Sequence, residues 1–255
     1  MRIANLENYE RLFICGDIHG CIEIFAPLIE HIFTVEKFTE KDQLVFLGDY
    51  IDRGEDSKGV VDILLDIKKT FPKTVFLRGN HEDMLLGFLG LDGCYGDAYL
   101  MNGGDQMLKT YGLPDYPRET ILKDFPKDHL EFFTSLTDVA LSRKCLLVHA
   151  GLDLKKELEN QDRKPQRMWS EDTIYWVRDR FYSQCHSIRK PYMGRTIIHG
   201  HTIVPEVSFD MPMRIMIDTG SYREKGKITC FLANEDDLIN SKLIQSHRTK
   251  GIIIK

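Results

Sequence analysis

Val45-Phe46-Leu47-Gly48-Asp49-Tyr50-Ile51-Asp52-Arg53-Gly54 is the stretch on which the fold turns. Leu44 to Leu47 is continuously apolar, as in a strand buried on both faces, and Gly48 follows where the backbone must bend. Two carboxylates and a guanidinium then arrive within five residues. In an open α/β sheet that position, just past the carboxyl end of a strand, is where ligands bind. Taken alone, the stretch suits a strand followed by a charged turn equally well.

The same arrangement is written five more times. Leu12-Phe13-Ile14-Cys15 runs into Gly16-Asp17-Ile18-His19-Gly20, and Thr74-Val75-Phe76-Leu77 into Arg78-Gly79-Asn80-His81-Glu82. Leu146-Leu147-Val148 runs into His149-Ala150-Gly151, Thr196-Ile197-Ile198 into His199-Gly200-His201, and Ile215-Met216-Ile217 into Asp218-Thr219-Gly220. Each apolar run has strand length, and each ends in glycine together with Asp, Asn or His. Metal-capable side chains loaded repeatedly at strand ends predict one shared site.

The helical spacing of apolar residues over Cys21 to Phe33 and over residues 57–70 predicts helices after the first two of these turns, with Ser57 as the second helix's N-cap. The result is a set of βαβ units. Met84 to Leu91 reads as a third helix, ended by Gly90 or Gly93. Residues 92–135 show no convincing strand and carry helical patches around Met107–Tyr111 and His129–Leu136. They suit a helical cap over the strand ends, where substrate selection often resides, or a plain packing excursion in which Asn102-Gly103-Gly104 is only a turn. Residues 153–195 are polar and helical in patches, with Trp169 and Trp176. Lys227 to Leu232 reads as a strand and Ile252–Ile254 as an edge strand. Strands before and after the middle section predict two facing sheets.

Composition sets the bounds. A chain of 255 residues suits one α/β domain, 1–255, and no linker, low-complexity tract or repeat divides it. The net charge is 34 − 39 = −5 without a basic block, which argues against nucleic acid as partner. The N-terminus has no apolar signal segment and no run approaches 18 apolar residues, so a cytoplasmic, non-membrane protein is expected. Six cysteines lie scattered without a C-x-x-C pair. Cys15 and Cys145, within apolar strands, are expected to be buried thiols and not zinc ligands.

The ligand-capable residues at the strand ends are Asp17, His19, Asp49, Asn80, His149 and His201. Three oxygen donors and three imidazoles suit Mn²⁺, Fe²⁺ or Zn²⁺, whereas a soft metal would want thiolates. Six protein ligands are too many for one ion that must keep water. They suit two ions sharing a carboxylate such as Asp49, at the roughly 3.5–4 Å separation of two-metal hydrolytic sites. His199 points the other way along an extended segment and is left out of the set.

The motifs Gly16-Asp17-Ile18-His19-Gly20, Gly48-Asp49-Tyr50-Ile51-Asp52-Arg53-Gly54 and Arg78-Gly79-Asn80-His81-Glu82 together resemble the phosphoprotein phosphatase branch of the calcineurin-like metallophosphoesterases. His149-Ala150-Gly151 and His199-Gly200-His201-Thr202 continue the resemblance in order, over about residues 11 to 232, and its details are closer to bacterial and phage serine/threonine phosphatases. The resemblance implies an α/β fold of two facing mixed sheets flanked by helices, an αββα sandwich. It also implies that Asp17, His19 and Asp49 hold a first metal, and that Asp49, Asn80, His149 and His201 hold a second, most readily Mn²⁺. His81 would be the general acid, oriented by Asp52. Arg53 and Asn80 would bind phosphate with a further arginine, for which Arg178 is preferred to Arg180. The sequence departs from the bacterial pattern after Gly220, where Ser221-Tyr222-Arg223-Glu224-Lys225-Gly226 replaces an expected glycine pair.

The chemistry expected is direct attack of a metal-activated water on a phosphoester, without a covalent phosphoenzyme. A phosphorylated protein or peptide is the first substrate reading, and Asp52-Arg53-Gly54 with the glutamate after His81 favours it. Dinucleoside polyphosphates such as diadenosine tetraphosphate are the second. A third reading is a scaffold that keeps the fold without the chemistry. It would be expected to have lost a ligand or the acid, and neither is missing.

Overall fold

The computed structural model describes residues 1–114, 117–155 and 171–255. Two six-stranded mixed sheets face each other. The first runs in the order β4 (Val75–Phe76), β3 (Gln43–Phe46), β2 (Leu12–Cys15), β10 (Lys227–Ala233), β11 (Lys242–His247) and β12 (Gly251–Ile254). Its β2, β3 and β4 are mutually parallel, and β10 to β12 are antiparallel additions. The second sheet runs β1 (Ile3–Asn5), β5 (Val139–Leu141), β6 (Cys145–Val148), β7 (Thr196–His199), β9 (Arg214–Met216) and β8 (Ser208–Asp210), with β6, β7 and β9 parallel.

The period-two alternation of strand side chains sorts the core into three layers. Leu12, Ile14, Val45, Leu47, Leu147, Ile198 and Phe231 meet between the sheets. Phe13, Cys15, Leu44 and Phe46, from the opposite faces of β2 and β3, pack against helices α1 (Ile22–Thr34) and α2 (Ser57–Thr70). Leu146, Val148 and Ile197 pack outward on Phe181 and Cys185 of the helix Asp179–Ile188. A strand buried on both faces must be largely apolar, which is why β2, β6 and Leu44–Phe46 of β3 read as unbroken apolar runs. This is the expected αββα sandwich. Cys15 and Cys145 are buried free thiols.

Several boundaries differ from the sequence expectation. Helix α3 spans Asn80–Phe88 and not Met84 onward, so Asn80 and His81 sit on its first turn. The cap of α2 is Asp56, whose Oδ1 accepts from the Gly59 amide at 2.8 Å. Ser57 serves elsewhere, its Oγ accepting from the Asp52 amide at 2.9 Å. The short strands β1, β5 and β8, and β11, carry too little pattern to be expected from sequence. Trp169 lies outside the described residues.

Residues 92–135 hold α4 (Gly104–Thr110), α5 (Arg118–Asp124) and α6 (Lys127–Thr134). Met107, Leu108, Ile121, Phe125, Phe132 and Phe133 of this segment are buried in the same core layer as α1 and α2. The stretch near residues 99–103 reaches the strand ends, as described below, and the Asp92 carbonyl accepts from the strand-end Arg78 at 3.1 Å.

Gly48 shows how closely the strand-end turns approach one another. It has φ +103°, and a Cβ there would lie 2.5 Å from the Gly79 amide nitrogen and 2.7 Å from the Gly79 Cα. Both the left-handed backbone and the contact exclude a side chain. Gly48→Ala is expected to cost about 2 kcal/mol or more in stability, read as a lowered urea midpoint at unchanged slope. An unchanged midpoint would contradict the close approach.

Candidate metal centre and phosphate site

The turns after β2, β3, β4, β6 and β7 bring the sequence-nominated residues together. Asp17, His19, Asp49, Asp52, Asn80, His81, His149 and His201 are all buried. His19, Asp49, Asp52, Arg53 and His201 have φ between +50° and +73°. A left-handed backbone is costly for residues with a Cβ, and its recurrence here marks a site whose surroundings over-determine it.

Asp49 stands at the centre. Its Oδ2 lies 3.5 Å from His19 Nε2, and its Oδ1 lies 3.4 Å from His149 Nε2 while accepting from the His81 amide at 3.0 Å. Asn80 Oδ1 lies 3.0 Å from His149 Nε2 and 2.8 Å from His201 Nδ1. Asp17 Oδ2 accepts from the His201 amide at 3.0 Å. The approach is close enough that a Cβ on Gly200 would sit 2.0 Å from Asp17 Oδ1.

The chemistry of this set fits divalent cations. His19 Nδ1 faces the Ile51 carbonyl at 3.1 Å and His149 Nδ1 the Leu47 carbonyl at 2.9 Å. Assigned from those partners, each Nδ1 carries the proton, so each Nε2 presents a lone pair to a carboxylate or amide oxygen. That is the outer hydrogen bond that orients a metal-binding imidazole. Burial keeps the rings neutral: it lowers His19 to about 3 and shifts His149 and His201 downward too. Burial, with the Asp218 and Asp49 carboxylates next, pushes Asp17 well above the usual carboxyl range. Asp17 Oδ1 and His201 Nε2 are buried without a hydrogen-bond partner among the described residues. Lone pairs aimed at one another, with neutral bases and crowded acids, are satisfied by a cation and by little else. His19, Asp49 and His81 cluster on one side, and Asp49, His149 and His201 on the other, with Asp49 common to both.

His81 is held at both ring nitrogens. Nδ1 lies 2.6 Å from Asp52 Oδ2, and Nε2 lies 3.1 Å from Arg53 Nη2. Burial pulls its pKa down, but the Asp49 charge and the Asp52 hydrogen bond outweigh burial and raise it above the ordinary imidazole value. Asp52 is itself fixed: Tyr99 Oη donates to its Oδ1 at 2.9 Å, and its amide donates to Ser57. Arg53 is exposed, but its side chain is held against the site. Its guanidinium carbon lies 4.5 Å from the Tyr222 ring centroid, and its amide donates to the Gly103 carbonyl at 3.4 Å.

Arg178 is the exposed residue just before the helix Asp179–Ile188. Its charge is felt at His149 and His201, where it lowers both imidazoles. Arg180 pairs with Asp153 at 3.1 Å. His199, left out of the ligand set, packs its ring 5.2 Å from that of Phe181 on the helix side of the sheet.

Three participants are not evident from sequence reasoning. Tyr99 comes from a segment without periodicity and leaves no signal. Glu82 belongs to a recognisable motif, but the motif does not reveal what its carboxylate holds. Its Oε2 accepts from the amides of Asp49 (2.9 Å) and Gly79 (3.0 Å), and its Oε1 from that of Tyr50 (2.8 Å). Tyr222, within the departure after Gly220, covers Arg53 and meets His19 edge-on at 5.1 Å.

The profile of the calcineurin-like phosphoesterase family matches residues 10–216. Serine/threonine-protein phosphatase 2 of Salmonella typhimurium is 28% identical over 229 residues, covering 86% of this chain and 91% of that protein. Serine/threonine-protein phosphatase 1 of the same organism is 36% identical over 99 residues, which span 39% of this chain and 41% of that relative. A solved structure provisionally described as a diadenosine tetraphosphatase superposes over 98% of this chain and 99% of its own at a TM-score of 0.65 and 19% identity. With the site's geometry and the family match in agreement, the chain belongs to the calcineurin-like phosphoesterases and is a metal-dependent phosphoric ester hydrolase.

Proposed function

We propose that this chain is a protein serine/threonine phosphatase that holds two divalent ions, Mn²⁺ by preference, and works in the cytoplasm. Asp17, His19 and Asp49 would hold one ion, and Asp49, Asn80, His149 and His201 the other. When bound, the ions offset the phosphate's negative charge and lower the pKa of water toward neutrality.

The observation that carries this reading is the His81 constellation. The chain clamps one imidazole between Asp52 and Arg53, beside the ligand set. A serine or threonine alkoxide is a poor leaving group and needs a proton as the bond to phosphorus breaks. A polyphosphate or aryl oxide needs it far less. Arg53 supplies a planar fork suited to two phosphate oxygens, with Arg178 adding charge toward His149 and His201. When a phosphate draws the Arg53 guanidinium away from Nε2, that nitrogen is free to hold the proton the leaving oxygen takes. Asp52 keeps the other nitrogen as donor, and Tyr99 and Ser57 keep Asp52 in place.

The relatives named as serine/threonine phosphatases support the same substrate class. Hydrolysis of dinucleoside polyphosphates is the second reading, favoured by the Tyr222 ring at the site's edge, which offers a face to a base.

His81→Asn is expected to lower kcat on a phosphoserine peptide by about 10²–10⁴, with less than about tenfold loss on p-nitrophenyl phosphate. Equal losses on the two substrates would remove His81 from the acid role. Asn80→Ala removes the oxygen on which two imidazoles converge. It is expected to weaken Mn²⁺ binding in calorimetry by about 10–100-fold or more while circular dichroism stays unchanged. Unaltered affinity would exclude Asn80 as a ligand.

A further inference from the structure

We propose that a basic groove running from the rim of the site binds acidic side chains that flank the phosphorylated residue, so that the preferred substrates are phosphoproteins with Asp- and Glu-rich phosphosites. The inference rests on the serine/threonine phosphatase reading and narrows it.

The groove has a volume of about 980 Å³. Its two walls grow out of the site itself. One wall begins with Ile203 and Val204, just past His201, and the Val204 amide is tied to the Asp218 carbonyl at 2.9 Å. The other is the loop after Gly220, which departs from the bacterial pattern. Tyr222 of that loop faces Arg53 and His19, and its neighbour Arg223 lines the groove. The far side is closed by Ile253 and Lys255, at the end of edge strand β12, and by the turn at Thr249 and Lys250. The groove is thus built from residues that follow His201 and Tyr222 in the chain, where a peptide whose phosphate sits at Arg53 would continue.

Charge identifies the occupant. Arg223, Lys225, Lys227, Lys250 and Lys255 line the groove against one carboxylate, Glu206, in a protein of net charge −5. Glu206 is shared by Lys227 at 2.7 Å and Lys255 at 2.8 Å. Arg223, Lys225 and Lys250 have no ion pair among the described residues and are exposed. Glu224, on the same loop, does not line the groove. Local concentration of one sign of charge beside a cleft raises the encounter rate of the oppositely charged ligand. A nucleoside is the poorer occupant, because His247 is the one aromatic ring among the described lining residues to stack on a base, against five cationic side chains. The apolar lining residues Ile203, Val204 and Ile253 instead suit the aliphatic stems and backbone of an extended peptide.

The test compares two phosphoserine peptides, one with Asp and Glu on both sides of the phosphosite and one with Ser and Asn. The enzymes are the wild type and a Lys225→Glu/Lys250→Glu double variant, each loaded with Mn²⁺. Neither substituted residue belongs to the catalytic or metal-binding set, so p-nitrophenyl phosphate turnover is expected to stay unchanged. The wild type is expected to favour the acidic peptide in kcat/KM by about tenfold at low salt. The preference should shrink to within about twofold in the double variant and at high salt. Equal cleavage of the two peptides by the wild type, or a preference that survives both charge reversals, would overturn the groove and leave the phosphatase reading standing. Turnover of the aryl phosphate with neither peptide cleaved would overturn that reading and the groove with it.

Discussion

One buried carboxylate holds the site together, and it is neither a candidate ligand nor the candidate acid. Glu82 gathers the amides of Gly79, Asp49 and Tyr50 and so ties the turn after β3 to the first turn of α3. Those two segments carry Asp49, Asp52 and Arg53 on one side and Asn80 and His81 on the other. Asp49, Asp52 and Arg53 all stand in the left-handed backbone region, a cost of order 1–3 kcal/mol each. Three buried hydrogen bonds converging on one carboxyl group offset part of it, although burial and the neighbouring Asp49 charge push that carboxyl up to about 8. The absence of a Cβ at Gly48 and Gly79 lets the two backbones approach, and the Glu82 carboxylate closes the seam.

From that seam the site extends outward in a consistent order. Carbonyl oxygens of Leu47 and Ile51 fix the rings of His149 and His19, so that their other nitrogens face Asn80 and Asp49. Tyr99 and Ser57 fix Asp52, which fixes His81. The residues proposed to do chemistry are thus aimed by residues that do none. Precision comes from the frame of two sheets and two helical layers, since the contributing turns follow strands whose side chains are locked in the core.

Much of this is legible in the residues. Strands buried on both faces leave unbroken apolar runs, and metal-capable residues placed just after each run point to the candidate set and the sandwich. Asp52, Arg53 and His81 can be brought together by motif. What the sequence conceals has a common physical character. Tyr99 reaches Asp52 through tertiary packing of a segment with no period of its own. Ser57 looks like the cap of its own helix, a local role, yet it serves Asp52 five residues upstream because Asp56 takes the cap. Helix α3 begins earlier than its apolar pattern suggests, since Asn80 and His81 carry no periodicity to mark a helix. Short edge strands such as β1 and β8 owe their existence to partners distant in sequence, which no local pattern records.

The loop after Gly220 places Tyr222 on the Arg53 guanidinium and lends Arg223 and Lys225 to the groove. The strand-end residues are proposed to form a metal-dependent, acid-assisted site for alkyl phosphomonoesters. The decisive comparison is kcat/KM with Mn²⁺ for a phosphoserine peptide and for diadenosine tetraphosphate side by side, with Asp49→Asn as the blank. A preference for the peptide of about tenfold or more, with turnover abolished in the blank, is the predicted result. Faster cleavage of the dinucleotide, or turnover that survives Asp49→Asn, would contradict it.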